Sequence, residues 1–273
     1  MRNACSSALA AGVAAALLSG CVTGMIEQYQ ARNQSKAAVA RWQEHCKKAG
    51  VFIHRTVEDV DGIFVLKKPV DALNRGGQFI LDDPYGADIS GDGYIEGLLR
   101  IGDEEIGSIQ DYVVTRSRRP GYRYVDAIDS SNGVRYRYTG RYKAIKTPNL
   151  NDPKIQDELR RNPGVDLNRY EFVMTRRPAP DPAPRYGLTR DDISTHEDRL
   201  LWIAGSSLKV VDLQTGEVIA ERIGYMVDPG QDRYIGPQSP WFEAAYYSCP
   251  AFTRGFQLRQ TSTFVQRILR PRP

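Results

Sequence analysis

Histidine is scarce in this chain of 273 residues, with 3 in all, and cysteine numbers only 4. His45, His54 and His196 are dispersed, so no His-Glu-x-x-His pair exists. The sequence also lacks a Gly-x-Ser-x-Gly elbow and a phosphate-cradling glycine loop opening a helix. A Ser/His/Asp set could be assembled only by choosing freely among many residues, which is no signature. The absence of Cys-x-x-Cys argues against a thioredoxin-like role. Charge of one sign is lacking too: the net charge of +4 is too mild to argue for a nucleic-acid partner. Hydrophobic content of 41% and charged content of 26% are ordinary for a folded body.

What is present begins at the N-terminus. Met1-Arg2-Asn3 is a short basic start, followed by an alanine-rich apolar run from Ala8 to Leu18. That run suits the apolar core of a signal peptide and is too short for a permanent membrane span. It ends in Leu18-Ser19-Gly20-Cys21, which resembles the lipobox of bacterial lipoproteins. The small residues let an extended backbone enter a peptidase cleft, and the Cys21 sulfur can be alkylated by a diacylglycerol donor. The resemblance implies removal of residues 1–20 and a thioether-linked diacylglycerol on Cys21, usually with an amide-linked acyl chain. Each buried methylene contributes about 0.8 kcal/mol, and two or more chains anchor stably. Val22 rather than Asp follows the cysteine, which by the sorting rule of the class implies the outer membrane, facing the periplasm. An ordinary secretory leader with a chance cysteine is the alternative. The body is similar to uncharacterised proteobacterial lipoproteins, a likeness that brings no activity with it.

Cys5 leaves with such a leader and Cys21 is lipidated, so Cys46 and Cys249 remain. In an oxidising periplasm this pair is expected to form a disulfide, closing a very long loop worth at most about 5 kcal/mol. Two separate buried thiols are the other possibility.

Periodicity predicts a helix from Met25 to Ala49, its first half a polar spacer and its Val39/Trp42/Cys46 stripe packed on the core. Short strands are expected at Val51–Thr56, Gly62–Leu66 and Ile109–Thr115, with a short helix at Tyr94–Ile101. Two strands, Tyr122–Ile128 and Gly133–Tyr142, flank an Asn132-Gly133 turn whose residues suit positive φ angles. A surface helix at 152–162 and a strand at Tyr170–Thr175 follow, then a stiff proline-rich connection at 178–184. Leu200–Ala204, Leu208–Leu213 and Glu217–Arg222 form a meander with turns at Gly205-Ser206 and Gln214-Thr215-Gly216. The Val211–Val218 phrase resembles one β-propeller hairpin but occurs once, so no propeller is implied. Trp241–Tyr247 is read as a helical turn returning Cys249 to Cys46. The expected fold is α+β: a mostly antiparallel β-sheet body with an N-terminal helix and few short helices. The expected organisation is a signal peptide (1–20), a lipidated tether and helix start (21–38) and one periplasmic domain (39–273).

Two stretches could bind something. Asp88, Ser90, Asp92, Gly93 and Glu96 resemble the opening positions of an EF-hand calcium loop. Leu99 stands where the bidentate glutamate belongs, so a glycine-rich turn entering a helix is the favoured reading over a calcium loop, and no cofactor is expected beyond the lipid. Charge is also segregated. Asp82 to Asp111 is acidic apart from Arg100, whereas Arg116 to Lys146 is basic apart from Asp126 and Asp129. Arg135, Arg137 and Arg141 share one strand face and Tyr136, Tyr138 and Tyr142 the other. Those arginines suit an acidic envelope protein or an anionic envelope polymer. The competing reading is mutual compensation of the two segments within the fold.

The expected protein is therefore a membrane-anchored periplasmic lipoprotein acting as a non-catalytic binding or structural module. An immunity-type lipoprotein that blocks a periplasmic toxin is one version. An envelope hydrolase without a recognisable motif, betrayed by a pocket holding two titratable groups in hydrogen-bond reach, is the rival.

Overall fold

The computed structural model describes residues 30–69, 79, 91–100, 105–109, 112–115, 121–230, 244–251 and 260–273. Cys21, Asp88, Ser90 and the expected helical residues 25–29 lie outside them. Residues 30–46 form helix α1. Strands β1 (Gly50–Ile53), β2 (Val57–Val60) and β3 (Gly62–Val65) follow, then helix α2 (Gly91–Leu99). Next come β4 (Glu105–Ile109), β5 (Tyr112–Thr115), β6 (Tyr124–Ile128), β7 (Arg135–Lys146), α3 (Pro153–Arg161) and β8 (Arg169–Pro178). The last part holds β9 (Tyr186–Asp192), α4 (His196–Leu200), β10 (Ile203–Asp212), β11 (Glu217–Val227), β12 (Ser248–Cys249), α5 (Gln260–Ile268) and β13 (Leu269–Pro271).

Nine strands make one sheet in the order β1-β11-β10-β9-β3-β6-β7-β8, with β12 also on β11. β3 runs parallel to both its neighbours, and the other pairings are antiparallel. The fold is thus α+β and mostly antiparallel. The chain before the proline-rich connection supplies β3 and the β6-β7-β8 meander; the chain after it returns to the other side of β3. Both halves share one sheet.

Alternation sorts the two faces. Ile63, Val65, Val125, Ala127, Leu188, Leu208 and Val210 turn to the first face, where Tyr94, Ile95 and Leu98 of α2 and Phe264, Val265 and Ile268 of α5 complete a single apolar cluster. The Tyr122 hydroxyl donates to the Leu269 carbonyl at 2.5 Å, tying the C-terminal segment to this core. Burial pushes that phenol's pKa up.

The second face carries α1. There α1 packs on Ile203, Tyr225 and Val227 through Ala38 and Trp42. Ala38, fully buried, takes the central place expected of Val39. Its single methyl lets the helix backbone come close to the strands. The Trp42 indole donates to the Tyr225 carbonyl at 3.3 Å, and the Ser35 hydroxyl to that of Pro229 at 3.1 Å.

Several local expectations need correction. Gly205-Ser206 is no turn; it lies inside β10. A Cβ at 205 would stand 2.4 Å from the Tyr225 ring, so the glycine serves a close cross-strand approach. Leu200 ends α4 rather than beginning a strand, because Thr195 and Asp198 form a capping box. The expected strand to Thr56 stops at Ile53, and the one at Ile109–Thr115 is the hairpin β4–β5. At the β6–β7 turn only Gly133 has positive φ, 70°. Six residues separate the strands, held by Gly133 N–H donating to the Asp129 carbonyl at 2.8 Å and Asp129 N–H donating to that of Val134 at 2.9 Å. The Gln214-Thr215-Gly216 turn is as expected, with Gly216 at φ 75°.

Candidate functional site

Sheet register builds the basic face. Phe64 on β3 pairs with Asp126 on β6, Asp126 with Arg137 on β7, and Arg137 with Arg177 on β8, so all four share the second face. Asp126 is fully buried. Arg137 grips it with two bonds, Nε to Oδ1 at 2.7 Å and Nη2 to Oδ2 at 3.0 Å. The same guanidinium lies 3.9 Å from the Tyr124 ring centre. The hydrogen bond to Asp126 raises the Arg137 pKa further. Arg135 stands 3.7 Å from Asp126 and donates to Asp181 at 2.7 Å and to the Pro180 carbonyl at 2.8 Å. Two of the three arginines singled out in the sequence are therefore neutralised within the fold. Arg141 and Arg177 are exposed, and their side chains make no ion pair or hydrogen bond among the described residues.

Of the calcium-loop side chains, Asp92 and Glu96 are among the described residues, and each faces a cation of the chain. Asp92 lies in the first turn of α2 and pairs with Lys68 at 2.8 Å, while Glu96 pairs with Arg100 at 2.6 Å. From Gly91 to Leu99 this stretch is helix, and the residues before it lie outside the described ones. Among the described residues no three His, Cys, Asp or Glu side chains gather as a metal site.

Two buried carboxylates went unnoticed in the sequence. Asp198 accepts from Arg41 Nε at 2.5 Å, contacts His45 Nε2 at 2.8 Å, and accepts from Thr195 N–H at 2.9 Å. Burial would raise its pKa, but the Thr195 amide, His45 and Arg41 outweigh that and hold it below the usual carboxylate range. The His45 ring stacks on Tyr225, centres 4.6 Å apart. Asp212, at the end of β10, accepts from Arg185 at 2.7 Å and Arg55 at 2.9 Å, and from the Gln214 amide at 3.1 Å. Led by Arg185, these bonds depress its pKa to about 2. The Thr195-x-x-Asp198 capping pattern was the only signal in sequence for the first. Its cations come from a helix more than 150 positions away.

Cys46 and Cys249 are disulfide-bonded across 203 positions, with Cα atoms 5.6 Å apart. Cys249 pairs with Tyr225 on the same edge of β11 that pairs Gly50 with Ile223. The bond thus ties the end of α1 to the strand edge beside it. His196 opens α4 and stacks on Phe79 at 5.1 Å, far in role from His45. No helix among the described residues is long and apolar enough to cross a membrane. The chain matches no protein-family model, no curated protein and no solved structure.

Proposed function

We propose that this protein is a lipid-anchored, non-catalytic binding module of a bacterial envelope, tethered to the outer membrane through Cys21 and facing the periplasm. The Cys46–Cys249 bond is the observation that carries the reading. Disulfides persist in oxidising compartments, and this one occupies both cysteines of the body. Cys21 is then the one cysteine after the leader left for acylation. Anchoring suits the architecture: α1, the element nearest the tether, is fixed to the sheet by the disulfide, by Asp198 and by Trp42. A pull on the lipid therefore reaches the core. The non-catalytic part rests on how the histidines are used, since His45 is committed to Asp198 and Tyr225 while His196 stacks on Phe79.

The test is mass spectrometry of the protein purified from its own membranes. The expected N-terminal peptide starts at Cys21 and bears a diacylglyceryl thioether, and an unreduced digest contains the linked Cys46 and Cys249 peptides. An unacylated residue 21, or an intact leader ahead of it, overturns the proposal. Cys21→Ser should move the body out of the acylated membrane fraction.

A further inference from the structure

We infer that the second face of the β7–β8 hairpin is a track for an extended polyanion, an acidic polysaccharide, and that Arg141 and Arg177 are its contact residues. This rests on the reading of the body as a binding module and names its partner class.

The register sets the geometry. Arg137 and Arg177 are directly opposite, Thr139 and Thr175 come next, then Arg141 opposite Val173. The threonine hydroxyls meet at 3.1 Å. Strand rise places Arg141 about 13 Å from Arg137. One small anion cannot touch both ends, whereas a chain with repeated acidic groups can, with hydroxyl partners between. Among the described residues β8 is the last strand of the sheet, so the track lies on its outermost hairpin.

The charge pattern also calls for an outside anion. Like charges directly opposite across strands are destabilising. Asp126 neutralises Arg137, but nothing among the described residues pairs Arg177 or Arg141. The next register step, Lys143 opposite Glu171, is already of opposite sign and ends the track. Arg135 and Arg137 both engage Asp126 and are positioning residues. The sequence placed Arg135, Arg137 and Arg141 together; the structure keeps Arg141, adds Arg177 and retires the other two to the scaffold.

The test is titration of the purified protein, in nonionic detergent, with polygalacturonate, neutral dextran and monomeric galacturonate. The expected result is binding to polygalacturonate alone, weakening as ionic strength rises from roughly 0.01 to 0.15 M, over which the Debye length falls from about 30 to about 8 Å. Arg141→Glu with Arg177→Glu should weaken binding about tenfold or more, with Tm unchanged. Lys36→Glu with Lys48→Glu alters net charge equally on exposed sites of the α1 segment and should leave binding within about twofold. No binding to the polymer, an equal loss in both double variants, or equally tight binding of the monomer each overturns the inference. A missing acyl group on Cys21 would overturn the anchoring proposal without touching this titration, so the two failures are separable.

Discussion

His45 and Asp198 meet at 2.8 Å although 153 positions separate them, and the carboxylate between His45 and Arg41 has no exposure to water. This contact carries α1 onto the body. Asp198 also caps α4, so one side chain serves two elements. Removing it strands the Arg41 charge and the Thr195 amide together. Asp198→Ala should cost about 3 kcal/mol, a fall in Tm of roughly 6 to 12 °C. Asp198→Asn, which can still accept the Thr195 amide, should lose less. Thermal unfolding of both variants decides it; equal, small shifts would reduce the contact to a surface pair.

Asp212 contributes to the acid limb of stability beside Asp198, Asp129, Asp157 and Glu197, whose carboxyls are also held low. Its carboxyl titrates near 2 in the folded protein, below the ordinary 3.8, because Arg185, the Gln214 amide and Arg55 stabilise the anion. The folded state thus binds the proton more weakly than the unfolded chain. The resulting stabilisation is fully present above pH ~4 and is lost as pH falls toward ~2. Asp212→Asn should make the stability profile shallower across that window and leave its slope near neutrality unchanged. Urea unfolding midpoints measured between pH 2 and pH 6 would show it.

Local chemistry was legible in the sequence, and long-range pairing was not. The α1 period, the Gly216 turn and the β6–β7 hairpin could be read because each depends on neighbours within a few positions. The cysteine pairing followed from a count and an expected compartment. β9 escaped because its inward positions include Arg190, a buried cation where alternation promises an apolar residue. α5 escaped because Thr261 and Ser262 are buried beside Phe264 and Val265, blurring its apolar face. The parallel partners of β3 are about 60 and 120 positions away, beyond any local pattern. The site was half legible for the same reason: Arg137 was visible as a charge, but its engagement by Asp126 depends on register.

Gly205 is the position where the sequence misled, and it yields a sharp test. Its missing side chain admits the Tyr225 ring from the neighbouring strand, and a Cβ would also meet Ile193 at 3.1 Å. Gly205→Ala should destabilise by about 1–3 kcal/mol through overpacking. In a Tyr225→Leu background the same substitution should cost much less, since the ring it collides with is gone. A double-mutant cycle on unfolding free energies measures the coupling; additivity within about 0.5 kcal/mol would reject the contact.

The Asp126 carboxylate is what allows Arg137 and Arg177 to face one another. Asp126 is fully buried and Arg137 nearly so, its side chain 14% exposed. Asp126→Asn therefore leaves a desolvated guanidinium beside a second arginine and a third, Arg135, at the same oxygen. A loss of about 3 kcal/mol is expected. Reversing the exposed partner with Arg177→Glu should then return about 0.5 to 1 kcal/mol, because an opposite charge again stands across the strand from Arg137. In the wild-type background that same reversal should change stability little, Arg137 being already paired. If Arg177→Glu fails to rescue Asp126→Asn, Arg137 and Arg177 do not sense each other across the hairpin. The role of Asp126 in letting the two arginines face each other would then be lost.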